Sequence, residues 1–471
     1  MTIKSNVFVW SFGILILNLI IKFVFIDYPP IGGDEPFTIF FAQSDFTTLY
    51  EMFQTENNPP LYTLLLKVWI SFFGISPLSV RFLPTIFSSL TAVALFNFGT
   101  KNFNFRTGIL TSLIFTFSSY HIFFAHETRP YALFGLLSVV SMITFFNLKR
   151  EFSRKNIFLL SLFNSLLIYT HFFGFFMLFV QLLSLCFDSE FKLNWKRYFI
   201  SWTLTAILYT PYLSLLFFRF GQASKGTWVD EPTITELYNN LWKFSNQPLN
   251  TVLFLTILVT ALVFFIIRKE KFHHASWTLI IWFLGMYFLM FGLSFKIPMF
   301  LDRYLVYISF AYYFLIALSV DYIFKHKRWK NIITVVIAIL MVVTTNLRAG
   351  NERKHDEIAD FVRLKASKQT PIILCPDWYF RTLSYHYNKK YFIDYKNTIS
   401  CLKAENIHPA NNFEELSNSN LEDSDTLIFI DTGSKLVDPE GHLFNQLSTS
   451  RKIIGKNQDY QAITIFTLIK D

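Results

Sequence analysis

Charge is what this sequence has least of. Of its 471 residues, 16% are Asp, Glu, Lys or Arg and 52% are hydrophobic, with a mean hydropathy of +0.37. Soluble domains carry roughly 25% charged residues, so a single water-soluble globule is excluded. Cysteine is scarcer still. Cys186, Cys375 and Cys401 are too few for a disulfide framework, although Cys375 and Cys401 can pair if their region faces an oxidising space. No Gly-x-Gly-x-x-Gly follows a strand-like run, and residues 221–227, GQASKGT, only scramble the parts of a P-loop. No small-residue cleavage site follows the first apolar stretch, residues 7–26, which reads as a retained helix and not a removed signal peptide.

What is present is phenylalanine, 58 of them, mostly inside long apolar runs. The formal charge of +9 does not point to nucleic acid, because the basic residues sit in short clusters at the ends of those runs and form no continuous stripe. About eleven transmembrane helices are expected, near residues 7–26, 78–99, 108–124, 131–148, 156–170, 172–187, 198–217, 250–267, 275–293, 304–324 and 331–346. After Asn346 the composition turns polar. Residues 370–375 and 425–431 read as strands, with helices near 351–367 and 377–388. The expected fold is mainly α: a polytopic transmembrane helical bundle over residues 1–346, with a small extracytoplasmic α/β domain over 347–471.

The segment Leu61–Phe73 decides the topology. With Lys67 in its middle and Pro59-Pro60 at its start, it is short for a span and suits a helix lying at the interface. With it left outside, one set of loops holds Lys101 and Arg106; Lys149, Arg150, Arg154 and Lys155; Lys192, Lys196 and Arg197; Arg268, Lys269 and Lys271; and Lys325, Lys327, Arg328 and Lys330. The opposite loops hold Asp34, Glu35, Glu51, Glu56, Glu127, Asp230, Glu231 and Asp302. The positive-inside rule then puts the N-terminus in the cytoplasm and the C-terminal domain outside.

Ionisable residues collect at the outer edge of the bundle. Asp34 and Glu35 are adjacent in GGDEPFTIFFAQ, His126, Glu127 and Arg129 share the short turn HETRPYAL, Arg81 begins one span and His171 ends another, and Lys296 and Arg303 lie in KIPMFLDRYLVY. One charge at a span end is ordinarily a solvated flank. A turn of a few residues packed with three ionisable groups between apolar spans is costly unless partnered, and such groups near membrane depth tend to serve function.

The order of these motifs carries a resemblance. The DE pair, then NNPPLY, then Arg81 with Phe82, Leu83 and Pro84, then HETRPYAL, YTHFFGFF and RYLVY together resemble the GT-C membrane glycosyltransferases, more closely the protein O-mannosyltransferase and lipid A aminoarabinose transferase branch. The resemblance covers roughly residues 7–325. It implies a sugar donor linked to a polyprenyl phosphate, an acceptor that is a protein, lipid or glycan, and a site in the first outer loops. Asp34 matches the family's first-loop acid and is the expected general base, since a carboxylate can take a proton at short range. Glu35 orients the acceptor or shares that work. Glu127 holds an arginine or helps the base. Arg81, Arg129, Arg303 and Lys296 are the candidates for the leaving phosphate, whose oxygens suit the guanidinium fork. Tyr131, Tyr304, His126 and His171 join the substrate side, and Trp228 can stack on a sugar or anchor at the interface. Anomeric inversion follows from a single acidic base. No cofactor is expected. Some members of the family use a divalent cation, and no zinc-type ligand spacing appears here.

Two other functional classes compete with this one. A transporter or flippase of a lipid-linked saccharide wants midplane charges, broken helices and internal repeats; the charges lie at the edge, and no repeat is visible. An inactive scaffold of the same fold would tolerate replacement of Asp34. The loop charges generate the first test. In a cysteine-free background, Asn412→Cys should react with a membrane-impermeant thiol reagent in intact cells and Lys327→Cys should not. The reverse pattern would mean that Leu61–Phe73 spans the membrane.

Overall fold

The computed structural model describes residues 3–56, 58–187, 195–223, 229–269, 274–348, 350, 354–367, 369–417, 419, 421, 424–460 and 463–471. The chain divides into two compact units. The first comprises residues 1–26, 50–65 and 78–349; the second comprises 27–49, 66–77 and 350–471.

Helices begin with α1 (Ile3–Phe23), α2 (Glu35–Gln43), α3 (Phe46–Thr55), α4 (Leu61–Phe73) and α5 (Pro77–Asn102). There follow α6 (Phe105–Thr116), α7 (Ser119–Ala125), α8 (Tyr131–Arg150), α9 (Arg154–Ile168) and α10 (Gly174–Phe187). Each expected span falls on a helix or a broken helix. Residues 108–124 are the pair α6 and α7, bent by 65°. Residues 275–293 pass through a π-helical turn at Ile281–Gly285, and 198–217 through a 3-10 turn at Thr210–Tyr212. Six helices are long and apolar enough to cross a membrane on length and composition, or seven with the bent pair. The other expected spans are helices of 14 to 21 residues. The 13 residues of α4 extend about 20 Å at 1.5 Å per residue, short of the roughly 30 Å hydrocarbon core.

Lipid is as apolar as the helix interior, so the outward faces carry large apolar side chains. Phe8, Trp10 and Phe12, Phe199 and Ile207, and Val252, Val259 and Ile266 are all exposed. At the centre, every residue from Val306 to Phe314 is buried. Polar side chains inside pair with one another. Ser141 donates to Asn164 at 2.6 Å, Asn164 to Gln181 at 3.1 Å, and Gln181 back to Ser141 at 2.8 Å. Asp321 takes Arg106 at 2.5 Å and Lys330 at 3.7 Å, joining two of the basic loop clusters. Caps set the helix starts: Asn104 accepts from Thr107 N at 2.9 Å and Ser153 from Asn156 N at 3.2 Å.

The second unit is built on a five-stranded sheet, β1 (Ile372–Cys375), β2 (Ile407–Pro409), β3 (Thr426–Asp431), β4 (Arg451–Tyr460) and β5 (Ile463–Lys470), in the order β2-β1-β3-β5-β4. β1 runs parallel to β2 and β3; β5 is antiparallel to both β3 and β4. Ile373, Leu427, Phe429, Leu443 and Leu468 form its core. The two strands expected from sequence are β1 and β3. β4 reads RKIIGKNQDY, too polar to announce itself, and its pairing is broken by two register shifts. Cys375 and Cys401 do not pair: both are free. Cys375 lies in the sheet core, where burial pushes its thiol up to about 12.

Candidate active site

In the first unit the HETRPYAL turn joins α7 to α8. His126 ends α7 and is buried, and its Nε2 donates to the Lys22 carbonyl at 2.7 Å. The backbone N–H of Arg129 bonds the Glu127 carbonyl at 2.7 Å, which folds the turn so that the guanidinium points inward. Arg129 Nη2 meets Glu56 Oε1 at 3.3 Å, both side chains largely buried, and the same Glu56 oxygen accepts from Asn58 Nδ2 at 2.7 Å. Arg81 is buried at the start of α5 and donates to the Ile26 carbonyl at 3.2 Å.

His171 sits between α9 and α10. Its ring stacks on Phe134 and Phe173 with centroids 4.9 and 5.1 Å away, and Tyr304 and Tyr131 approach at 5.6 and 6.1 Å. Burial first, then the nearby charges of Arg129 and Arg303, push its pKa down to about 3. The ring is therefore neutral. Nδ1 accepts from Phe173 N at 3.2 Å, so the proton stands on Nε2. That buried N–H meets no hydrogen-bond acceptor among the described residues. Arg303 lies in the 3-10 turn Asp302–Tyr304, whose acid takes Lys243 at 2.7 Å and the Arg303 amide at 2.7 Å. The first unit thus gathers Arg129, His171, Tyr131, Arg303 and Tyr304. Lys296 is exposed in the preceding loop, and no contact among the described residues ties it to that group.

In the second unit Asp34 is the N-cap of α2 and is exposed; its carboxylate makes no cap hydrogen bond to the helix. Glu35 is buried, with Oε2 3.4 Å from Gly32 N. Gly33 turns the chain at φ +58°, a left-handed conformation that glycine adopts without strain. The turn is backed by His386, whose Nε2 donates to the Ile31 carbonyl at 2.7 Å, and by His355 against Gly32. Trp228 lies outside the described residues.

Sequence reasoning left Glu56, Asn58, Lys22, His355 and His386 without roles. Glu56 directly precedes the NNPP run that carries the resemblance and Asn58 belongs to it, a signal that was available. Lys22 is fully buried in α1, its ammonium 3.0 Å from Asn18 Oδ1 and 2.8 Å from Ser88 Oγ; an internal lysine in an apolar run was the cue. Among the described residues no group of three His, Cys, Asp or Glu side chains gathers as a metal site would.

A helical bundle of this arrangement with a small mixed sheet unit is the GT-C fold of polytopic membrane glycosyltransferases, and the protein is an integral multi-pass membrane protein. The chain is similar to the crystal structure of ArnT from Cupriavidus metallidurans bound to undecaprenyl phosphate, with a TM-score of 0.62 and 12% identity over 97% of this chain and 98% of that one. For the apo state of ArnT the TM-score is 0.63 at 11% identity, covering 99% and 98%. The oligosaccharyltransferase of Archaeoglobus fulgidus, in complex with zinc and sulfate, gives 0.55 at 10% identity over 97% of this chain and 73% of that one. No family model matches the chain, and no curated protein matches it.

The Glu56–Arg129 pair yields a stability prediction. Removing one partner of a buried pair strands the other charge. Arg129→Gln should cost about 3 kcal/mol, read as a lower thermal midpoint of the purified protein. The double variant Glu56→Gln/Arg129→Gln should recover most of the loss. An additive double variant would show that the two side chains are not coupled.

Proposed function

We propose that this protein transfers a sugar from a polyprenyl-phosphate donor to an acceptor hydroxyl at the outer face of the cytoplasmic membrane, with inversion at the anomeric carbon. In this reading the N-terminus is cytoplasmic and the sheet-bearing unit extracytoplasmic. The acceptor oxygen attacks the anomeric carbon, the bond from that carbon to the phosphate oxygen breaks, its electron pair goes to the phosphate, and the acceptor's proton goes to Asp34. An exposed carboxylate at a helix start suits that task. Glu35, buried behind it, steadies the turn, and Glu127 assists by folding the turn that carries Arg129.

The observation that carries the proposal is the orphaned Nε2–H of His171, buried within electrostatic reach of Arg129 and Arg303. Two cations and an unused neutral donor make a preorganised site for a phosphate that gains charge as it leaves. Arg81 and Lys296 supply further positive charge, and Tyr131, Tyr304 and His126 are assigned to the substrate side. The likeness to ArnT, solved with undecaprenyl phosphate, supports a lipid-linked donor. The donor's activated phosphate needs no resident cofactor.

The test is transfer from purified undecaprenyl-phosphate sugars, with donor affinity measured alongside. Asp34→Asn keeps size but cannot take the proton, so turnover should fall by about 10²–10⁴-fold with donor binding intact; Glu35→Gln should cost less. Normal turnover in Asp34→Asn would overturn the base assignment. In the same assay Arg303→Lys keeps charge but loses the two-pronged fork, and a large loss of transfer is expected at normal protein levels. Near wild-type transfer would move the phosphate site to Arg81 or Arg129.

A further inference from the structure

The loop that carries Asp34 folds with residues 350–471, and two histidines from that region touch it. His355 opens the helix His355–Lys365, and His386 lies in the helix Phe380–Tyr387. Their rings stack at 6.3 Å with 23° between planes. The His386 Nε2–H donates to the Ile31 carbonyl at 2.7 Å. The His355 ring lies flush against Gly32: a Cβ added there would stand 2.5 Å from Nε2, and also against Cδ2. Behind the rings, His355 Nδ1 is 3.2 Å from the Tyr379 hydroxyl, and the His386 carbonyl accepts from Arg363, which is also paired with Asp360. On the other side Glu35 reaches back to Gly32 N.

We infer that His355 and His386 are positioning residues, a clamp on the backbone at Ile31 and Gly32 that fixes where Asp34 is presented. The inference rests on the reading of Asp34 as base and gives the sheet-bearing unit a task within it. Three features favour a clamp over ordinary packing. The hydrogen bond goes to a backbone carbonyl two peptide units before Gly33, where the chain must turn left-handed. The contact at Gly32 leaves no space for any side chain. Ile31 and Glu35 are buried while Gly33 and Asp34 are exposed, so the held residues flank the presented one. Neither imidazole reaches a reacting atom in this scheme. Their effect is on geometry, and a displacement of about 1 Å at a catalytic group can cost on the order of 10²-fold in rate.

The full-length protein is tested in three ways. His386→Leu removes the donor and should lower kcat about 10- to 100-fold with donor KM unchanged; His386→Gln, which keeps an N–H near the same place, should restore most of it. Gly32→Ala should lower kcat similarly, because the new methyl meets the His355 ring. His355→Ala, which removes the ring that Gly32 rests on, should lower kcat as well, and adding it to Gly32→Ala should not restore wild-type kcat. Hydrogen exchange of the amides at Ile31–Asp34 provides a readout independent of chemistry and should quicken at least tenfold in His386→Leu, with the sheet amides unchanged. Unchanged exchange at the turn overturns the clamp, as does wild-type kcat in the Gly32→Ala/His355→Ala double variant. Faster exchange with undiminished kcat leaves the clamp standing and overturns the role given to Asp34.

Discussion

No water is available inside a bilayer to satisfy a peptide group, and the rest of this structure follows from that constraint. It forces the chain into helices, lets their outer faces be apolar, and favours a protein partner for an internal polar side chain. The Ser141–Asn164–Gln181 triangle and the Lys22–Asn18–Ser88 contacts are the outcome. The same constraint keeps ionisable chemistry out of most of the spans. Charged side chains appear where helices end, turn or break, as at the bent pair before His126 and the 3-10 turn that carries Arg303. A phosphate leaving group, itself anchored to a lipid, suits such a location.

The histidine at the end of α9 illustrates how burial creates capacity. In water His171 would shed or take a proton near neutrality; here desolvation and two guanidinium groups hold it neutral, and its aromatic cage holds it still. A neutral donor that does not titrate keeps its hydrogen bond available over a wide pH range, which a charged imidazole would not offer without extra desolvation cost.

Much of the helical frame was legible because hydropathy is a local signal: a run such as residues 131–148 needs no knowledge of its neighbours to be read as a helix. The same holds for β1 and β3, short apolar strands buried in the sheet. What escaped was whatever depends on partners far apart in the chain. β4 is an edge strand whose residues are mostly polar, and its pairing with β5 decides its structure. Glu56 reads as one more outer acid; the NNPP run beside it marks the neighbourhood but does not announce that it will hold Arg129. His355 and His386 lay in what looked like an ordinary polar domain, and their approach to Gly32 joins positions more than three hundred residues apart. The paired glycines at 32 and 33 are compatible with a tight turn, but nothing local tells what presses against it. Breaks within spans, such as Ile281–Gly285, leave no mark on composition.

That the stretch 27–49 belongs to the same compact unit as residues 350–471 has a consequence for biogenesis. A ribosome makes the first stretch early and its partner much later, with residues 78–349 of the helical bundle threaded between them. The Asp34 turn must therefore stay without its supports through nearly all of synthesis and insertion. The contacts that support this turn form only once residues 350–471 have emerged and folded, so a chain that stops before them, however well its helices are inserted, lacks the contacts that shape its own first loop.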